Sequence, residues 1–213
     1  KDINIDGDII ISNGDWLKTF LSNIRAAATN EDIEVPENVN ATLRPYQKAG
    51  YSWLAGMYKY GFGACLADDM GLGKTLQTLT FMESIRSAKG GSKKKILLIV
   101  PASLIGNWQA ESKKFTPLIS IKVLHGKPAA KLQAEACSEL EFLNITTYGM
   151  ATKIPALQMV KWDCIILDEA QAIKNPASKQ TQTIKKINAD IKIAMTGTPI
   201  ENSLSELWSI FDY

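Results

Sequence analysis

Across its 213 residues the chain has one histidine, three arginines and three cysteines. His125 stands alone, so sites that need several histidines, whether catalytic or metal-binding, are excluded within this chain, and no Cys/His cluster has the spacing of a zinc site. Cys65, Cys137 and Cys164 leave one thiol over in any disulfide scheme, and two of them sit in apolar runs that read as buried strands. Reduced, buried thiols of an intracellular protein are therefore expected. Long hydrophobic runs are missing too. The longest, Ile96 to Gly106, is interrupted by Pro101 and is too short to span a bilayer, so no membrane partner is expected. The first ten residues carry four charges and no apolar core, which argues against a signal peptide. Lys1 in place of Met, and a helical pattern still running at Tyr213, read as cut ends of a longer protein.

Charge is unevenly spread. The whole chain carries +2, but residues 1–40 hold −5 and residues 41–213 hold +7. A moderately basic body suits a polyanionic partner, although lysine-rich surfaces are also ordinary solvent-facing surfaces. The acidic residues 1–40, with a short strand at Ile9–Ile11, a helix capped by Asp15 over 16–28 and Pro36 in a polar stretch, read as an accessory segment or linker. From Ala41 onward strands and helices alternate. Strands are expected at 64–67, 96–100, 119–124, 142–147, 164–167 and 191–195. Helices are expected at 43–60, 73–87, 103–115, 127–140, 150–159 (interrupted by Pro155) and 179–187, with a last one from Ser203. Several of these strands are apolar throughout, which means burial on both faces. The alternation predicts an α/β fold with a parallel sheet covered by helices on both faces.

The strongest local signal is Asp68-Asp69-Met70-Gly71-Leu72-Gly73-Lys74-Thr75, which follows a short strand and opens a helix. That is the context of a P-loop, or Walker A motif. Gly71 and Gly73 let the backbone turn its N–H groups toward a phosphate, and the helix adds its positive end. Lys74 is placed to reach the β- and γ-phosphates of ATP, and Thr75 to put its hydroxyl on Mg²⁺. The general pattern begins with Gly; here Asp68 stands in that place. A second signal is the apolar strand Cys164-Ile165-Ile166-Leu167 ending in Asp168-Glu169. Asp168 is the candidate for the magnesium shell and Glu169 for orienting or deprotonating the attacking water. Parallel strands bring both motifs to one sheet edge. The arginines are Arg25, Arg44 and Arg86, none beyond the acid pair, and Arg86 lies about 18 Å along its helix from Lys74 at 1.5 Å per residue. An arginine finger is thus expected from sequence outside this chain.

Together with other segments, these residues resemble the Swi/Snf family of superfamily-two helicase-like ATPases over about residues 41–213. Leu43-Arg44-Pro45-Tyr46-Gln47 resembles the family's adenine-recognising glutamine motif, and Asp68 to Thr75 its P-loop. Val100 to Ser103, on to Trp108, resembles its first nucleic-acid-contacting motif. Asp168-Glu169-Ala170-Gln171 is a DEAQ form of its carboxylate motif. Met195-Thr196-Gly197-Thr198-Pro199 resembles the motif coupling ATP state to DNA. The resemblance implies a RecA-like lobe of a P-loop NTPase. Its expected partners are a second RecA-like lobe and the phosphate backbone of double-stranded DNA, and its expected ligands ATP and Mg²⁺. It implies nucleotide contacts at Arg44, Gln47 and Asp69–Thr75, catalytic roles for Lys74, Asp168 and Glu169, and coupling roles for Gln171, Thr196, Gly197 and Thr198. Ser103, Lys127, Thr146, Thr147 and Tyr148 are candidate DNA contacts, but each residue type is equally at home in a cap, a solvated surface or a core. An RNA helicase, a restriction-type motor, or a nucleotide-binding interaction module without catalysis are the alternatives.

Overall fold

The computed structural model describes residues 3–5, 9–11, 18, 19, 22, 33–197 and 213, leaving aside the side chains of residues 3–5, 9–11 and 137. Strands β1 (Ile3–Ile5) and β2 (Ile9–Ile11) form an antiparallel pair, with Ile3 opposite Ile11. The helix expected over 16–28 falls largely outside the described residues, as do Thr198 and the helix expected from Ser203. There follow α1 (Pro45–Lys59), β3 (Ala64–Leu66), α2 (Lys74–Ser87), β4 (Ile96–Val100), α3 (Ile105–Phe115), β5 (Ile121–Leu124), α4 (Ala129–Ser138) and β6 (Leu143–Thr147). The chain continues through α5 (Tyr148–Ala151), α6 (Ala156–Met159), β7 (Trp162–Leu167), α7 (Lys179–Lys185) and β8 (Ala189–Met195). Element ends fall within two residues of those expected, except that the helix expected over 150–159 is two short helices, separated at Pro155, the first starting at Tyr148.

Strands β3 to β8 form one six-stranded sheet in the order β3-β8-β7-β4-β6-β5, with every pairing parallel. Central β4 shows why. All five of its residues are apolar and fully buried. Ile96, Leu98 and Val100 face a core shared with Tyr51 and Leu54 of α1, Leu79, Phe81 and Met82 of α2, and Trp108 of α3. Leu97 and Ile99 face the opposite core, with Leu132 of α4, Leu157 of α6 and Ile184 of α7. The period of two in a strand thus sends alternate residues into two helical layers, α1–α3 on one face and α4–α7 on the other. A fully buried side chain of this size contributes about 1.5–3 kcal/mol, so both layers are needed to hold β4.

Residues 33–44, which precede α1, pack on the lobe. Val39 is buried, the Asn40 N–H donates to Phe115 O (2.8 Å) at the end of α3, and the Tyr51 hydroxyl donates to Glu34 O (3.0 Å). Cys164 is an enclosed free thiol and Cys65 a half-buried one. Among the described residues no helix is long and apolar enough to cross a membrane.

Polar side chains enter the sheet's interior in β6, and Asn144 is the one that ties two strands together at their start. Asn144 of β6 is fully buried; its Nδ2 donates to Glu141 O (2.7 Å) and Ile96 O (3.4 Å), and its Oδ1 accepts from Glu141 N (3.1 Å). These bonds tie the entry of β6 to that of β4. Asn144→Leu should take these partners from the backbone of Glu141 and Ile96 and lower stability by about 1–3 kcal/mol. Urea unfolding checks this, and an unchanged midpoint would show that the amide contributes nothing there.

Candidate active site

Three strand ends stand side by side at the carboxyl edge of the sheet, because β3, β8 and β7 are parallel neighbours in that order. Adjacent strands are about 4.8 Å apart. The loop leaving β3 and the acid pair leaving β7 therefore flank Thr196, the residue that leaves β8. The ladder runs up to this point: Thr196 N donates to Leu66 O (3.1 Å) and Asp168 N to Ile99 O (2.9 Å).

In the loop after β3, Gly71 (φ 83°) and Gly73 (φ 77°) take the left-handed conformation that their lack of a Cβ allows. Lys74 opens α2, and its ammonium donates back to Asp68 O (2.7 Å) and Asp69 O (3.0 Å). Asp68, the departure from the usual glycine, is held by a residue that motif reading missed. Gln77, one turn into α2 and fully buried, donates from Nε2 to Asp68 Oδ2 (3.0 Å). Gln47, in the first turn of α1, accepts the Arg44 N–H on Oε1 (2.9 Å) and donates from Nε2 to Leu72 O (3.2 Å). A Cβ on Gly73 would lie 2.4 Å from that Nε2. Glycine is favoured at 73 by its backbone angle, and a side chain there would displace the Gln47 amide. Beside Gln47 opens a cavity of about 350 Å³, bounded by Gly73 and Leu76 of the loop and helix and by Ala110, Lys114 and Phe115 of α3.

Glu169 is the sole non-glycine residue at positive φ among the described residues (φ 53°, ψ 55°). Such a conformation costs about 1–3 kcal/mol and persists only where neighbours enforce it. Tyr148 supplies the enforcement. Its buried hydroxyl donates to Asp168 O (2.6 Å) and lies 3.4 Å from Glu169 O. Burial among these groups pushes the Tyr148 pKa well up, so it stays a donor. Asp168 is 8% exposed. Its Oδ2 accepts from Trp108 Nε1 (2.8 Å) and its Oδ1 from Glu169 N (3.0 Å). Burial raises the Asp168 pKa; the Trp108 hydrogen bond opposes that rise most strongly, the negative charge of Glu169 adds to it, and the Lys74 ammonium opposes it weakly.

A side-chain relay joins the acid pair to β8. The Gln171 Nε2 donates to Glu169 Oε2 (2.7 Å), and the Thr196 hydroxyl donates to Gln171 Oε1 (2.9 Å). Gly197 then passes under the loop after β3, where an added Cβ would lie 2.7 Å from Met70 Cγ. The structure thus brings together the expected residues Gln47, Asp69 to Thr75, Asp168, Glu169, Gln171, Thr196 and Gly197. Thr75 lies in the first turn of α2, half-buried.

The expected DNA contacts fare differently. Thr146 is fully buried and its hydroxyl donates to Leu124 O (2.9 Å); Thr147 caps α5 by accepting from Met150 N (3.2 Å); Tyr148 is the clamp described above. All three side chains are buried and bonded within the lobe, so none of them faces outward to meet a phosphate here. Alternation along β6 does not apply, since both faces of that strand are covered. Ser103 is exposed in the 3-10 turn Ala102–Leu104, and Lys127 pairs with Glu135 (2.7 Å). Arg86 is committed to a two-point pair with buried Glu83 (2.8 and 2.6 Å), in keeping with its exclusion from the site.

A phosphate-type loop on β3, an acid pair on β7 and a relay through the intervening strand define a RecA-like lobe of the P-loop class. Residues 46–213 match the SNF2-related domain, and the chain belongs to that family. The protein YwqA of Bacillus subtilis, named for a proposed ATP-dependent helicase and translocase activity, is 41% identical over 92% of this chain and 22% of its own length. The TATA-binding protein-associated factor MOT1 of Saccharomyces cerevisiae is 32% identical over 96% of this chain and 12% of its own. The Sulfolobus solfataricus SWI2/SNF2 ATPase core in complex with double-stranded DNA superposes with a TM-score of 0.73 and 40% identity, covering 84% of this chain and 37% of that one. The chain therefore spans about a fifth or less of the length of these curated relatives.

Tyr148→Phe should remove the donor that holds Asp168 O and lower stability by about 1–3 kcal/mol, visible as a drop in thermal midpoint. An unaltered midpoint would free the Glu169 conformation from Tyr148. Gly73→Ala should cost about 1–2 kcal/mol for the left-handed backbone and also displace Gln47. A variant as stable as the parent would contradict that packing.

Proposed function

We propose that this chain is the ATP-binding lobe of an ATP-dependent translocase on double-stranded DNA, of the chromatin-remodelling or repair type, that turns over ATP when a second RecA-like lobe closes on it. The observation that carries the reading is the unbroken path Glu169–Gln171–Thr196, followed by Gly197 against Met70. It links the residue suited to activating water with the end of β8 and with the loop suited to phosphate.

Each residue has a task. The backbone N–H groups around Gly71 to Thr75 and the start of α2 attract the phosphates. Lys74, now on the Asp68 and Asp69 carbonyls, exchanges these neutral acceptors for phosphate oxygens. The cavity beside Gln47 has room for a base, and Gln47 keeps one N–H and one lone pair beyond the bonds already described. Thr75 and Asp168 fit Mg²⁺: both are hard oxygen donors, and each Asp168 oxygen has accepted a single hydrogen bond, leaving lone pairs on both. When bound, the ion neutralises charge on the phosphates. Glu169, held at Oε2 by Gln171, orients the attacking water and takes its proton. Among the described residues no arginine stands at the acid pair; the arginine that stabilises the transferring phosphoryl group comes from the second lobe. On the DNA side, Ser103 and the N–H groups of its exposed turn suit a phosphate, which fixes position without reading sequence.

Lys74→Ala should weaken ATP binding by this chain at least about tenfold, since hydrogen bonds to charged groups contribute about 1.5–3 kcal/mol. Equilibrium titration with a fluorescent ATP analogue tests this, and equal affinity removes Lys74 from the phosphate site. Joined to a second lobe, the chain should hydrolyse ATP faster with duplex DNA than without, and Glu169→Gln should bind ATP yet not turn it over. Stimulation by RNA and not by duplex DNA would assign the lobe to an RNA-acting motor instead.

A further inference from the structure

The acid pair has a neighbour that neither the loop nor the relay uses. Trp108 lies in the middle of α3, 1% exposed, and its indole N–H points at Asp168 Oδ2 from 2.8 Å. A tryptophan in a core needs only apolar surroundings and some partner for its N–H. Here the partner is a carboxylate at the carboxyl edge of the sheet, brought by β7, while Trp108 is brought by the helix after β4.

We propose that Trp108 is a positioning residue for Asp168: its indole holds the carboxylate in the plane needed to meet a divalent cation, and ties it through α3 to the exposed turn Ala102–Leu104. This inference rests on the ATP-binding reading above. Two donors from separate elements fix the carboxylate plane. The Glu169 N–H holds Oδ1 from the same chain segment, and Trp108 holds Oδ2 from α3. With either one alone the carboxylate is free to turn about its Cβ–Cγ bond.

The choice of donor has a chemical sense. An indole N–H carries no charge, has no acceptor and does not ligate metals. It orients the carboxylate while leaving its negative charge whole. A lysine or arginine at the same place would form an ion pair and compete with the cation. Trp108 is itself held firmly. Ile105 and Ser112 on either side of it in α3 are buried, Ser112 and Thr116 bond each other's hydroxyls (3.3 Å), and Phe115 O accepts the Asn40 N–H. The turn preceding α3 carries exposed Ser103, five residues before Trp108. A group bound at that turn thus acts on the same helix that orients Asp168.

The test compares nucleotide affinity with and without the metal, which reads positioning separately from packing. Trp108→Phe removes the N–H, and site-specific replacement of Trp108 by 3-benzothienylalanine removes it while keeping the bicyclic shape. Affinity for a fluorescent ADP analogue is measured on this chain with Mg²⁺ and with EDTA, and Lys74→Ala serves as the control. We expect the parent chain to gain affinity from Mg²⁺. Both variants should lose that gain by about tenfold or more, the usual effect of removing a group that orients a metal ligand, while binding in EDTA stays as in the parent. If Trp108→Phe does not fold, the benzothienyl variant decides. An undiminished Mg²⁺ gain in a folded variant overturns the role of Trp108 and leaves the ATP-binding reading intact. Equal losses with and without Mg²⁺ reduce Trp108 to packing and overturn it as well. A parent chain that binds no nucleotide overturns both.

Discussion

The insertion of β8 between β3 and β7 is the constraint on which the rest of the site depends. The two strands that carry the phosphate-type loop and the acid pair are far apart in sequence, and parallel pairing to a shared neighbour sets their spacing. With β8 in that place, Thr196 stands between the two motifs and reaches Gln171 directly. Parallel strands also put every loop of consequence at one edge. The six carboxyl ends deliver the glycine loop, the 3-10 turn with Ser103, the His125 corner, the Tyr148 clamp, the acid pair and Thr196. This arrangement requires helices on both faces, because each crossover must return across the sheet, and it accounts for the strands being apolar on both sides.

At that edge, local strain and burial are balanced by bonds from other elements. Glu169 sits in a conformation it would not choose, and the hydroxyl of Tyr148, from the strand-helix junction of β6 and α5, holds the peptide on either side of it. Asp168 is drawn out of water and pushed toward its neutral form, and Trp108 from α3 partly restores the anion. Gln77 from α2 donates to the carboxylate of Asp68. The acids are thus set by side chains contributed from α2, α3 and the β6–α5 junction, rather than by the segments in which they lie.

Much of this was legible in the residues. Apolar runs such as Ile96–Val100 carry their burial on their face, and alternating elements left a parallel sheet as the economical solution. The glycine loop and the acid pair could be read because their chemistry is local: the residues that perform it are adjacent in the chain. What escaped was contributed across the fold. Trp108 reaches Asp168 across 60 residues, Tyr148 reaches it across 20, and nothing in the neighbourhood of either tryptophan or tyrosine announces a carboxylate partner. Thr146 and Thr147 looked like polar residues at a strand end, free to meet a phosphate. One instead closes a bond to the neighbouring strand and the other caps a short helix. Residues 33–40 read as linker because they are acidic and contain Pro36, yet one buried valine, the Asn40 N–H on Phe115 O and the Glu34 carbonyl under the Tyr51 hydroxyl hold them on α3 and α1.

The contact between Gln47 and the glycine loop has a geometric outcome. One hydrogen bond to Leu72 O, pressed home by the absence of a side chain on Gly73, joins the first turn of α1 to the loop that opens α2. The parts proposed above to meet a base and the phosphates therefore touch each other. Their separation is a fixed gauge, set by a single amide rather than by the cumulative tolerances of the sheet. On the ATP-binding reading proposed above, a molecule would be measured against it for length as well as for chemistry.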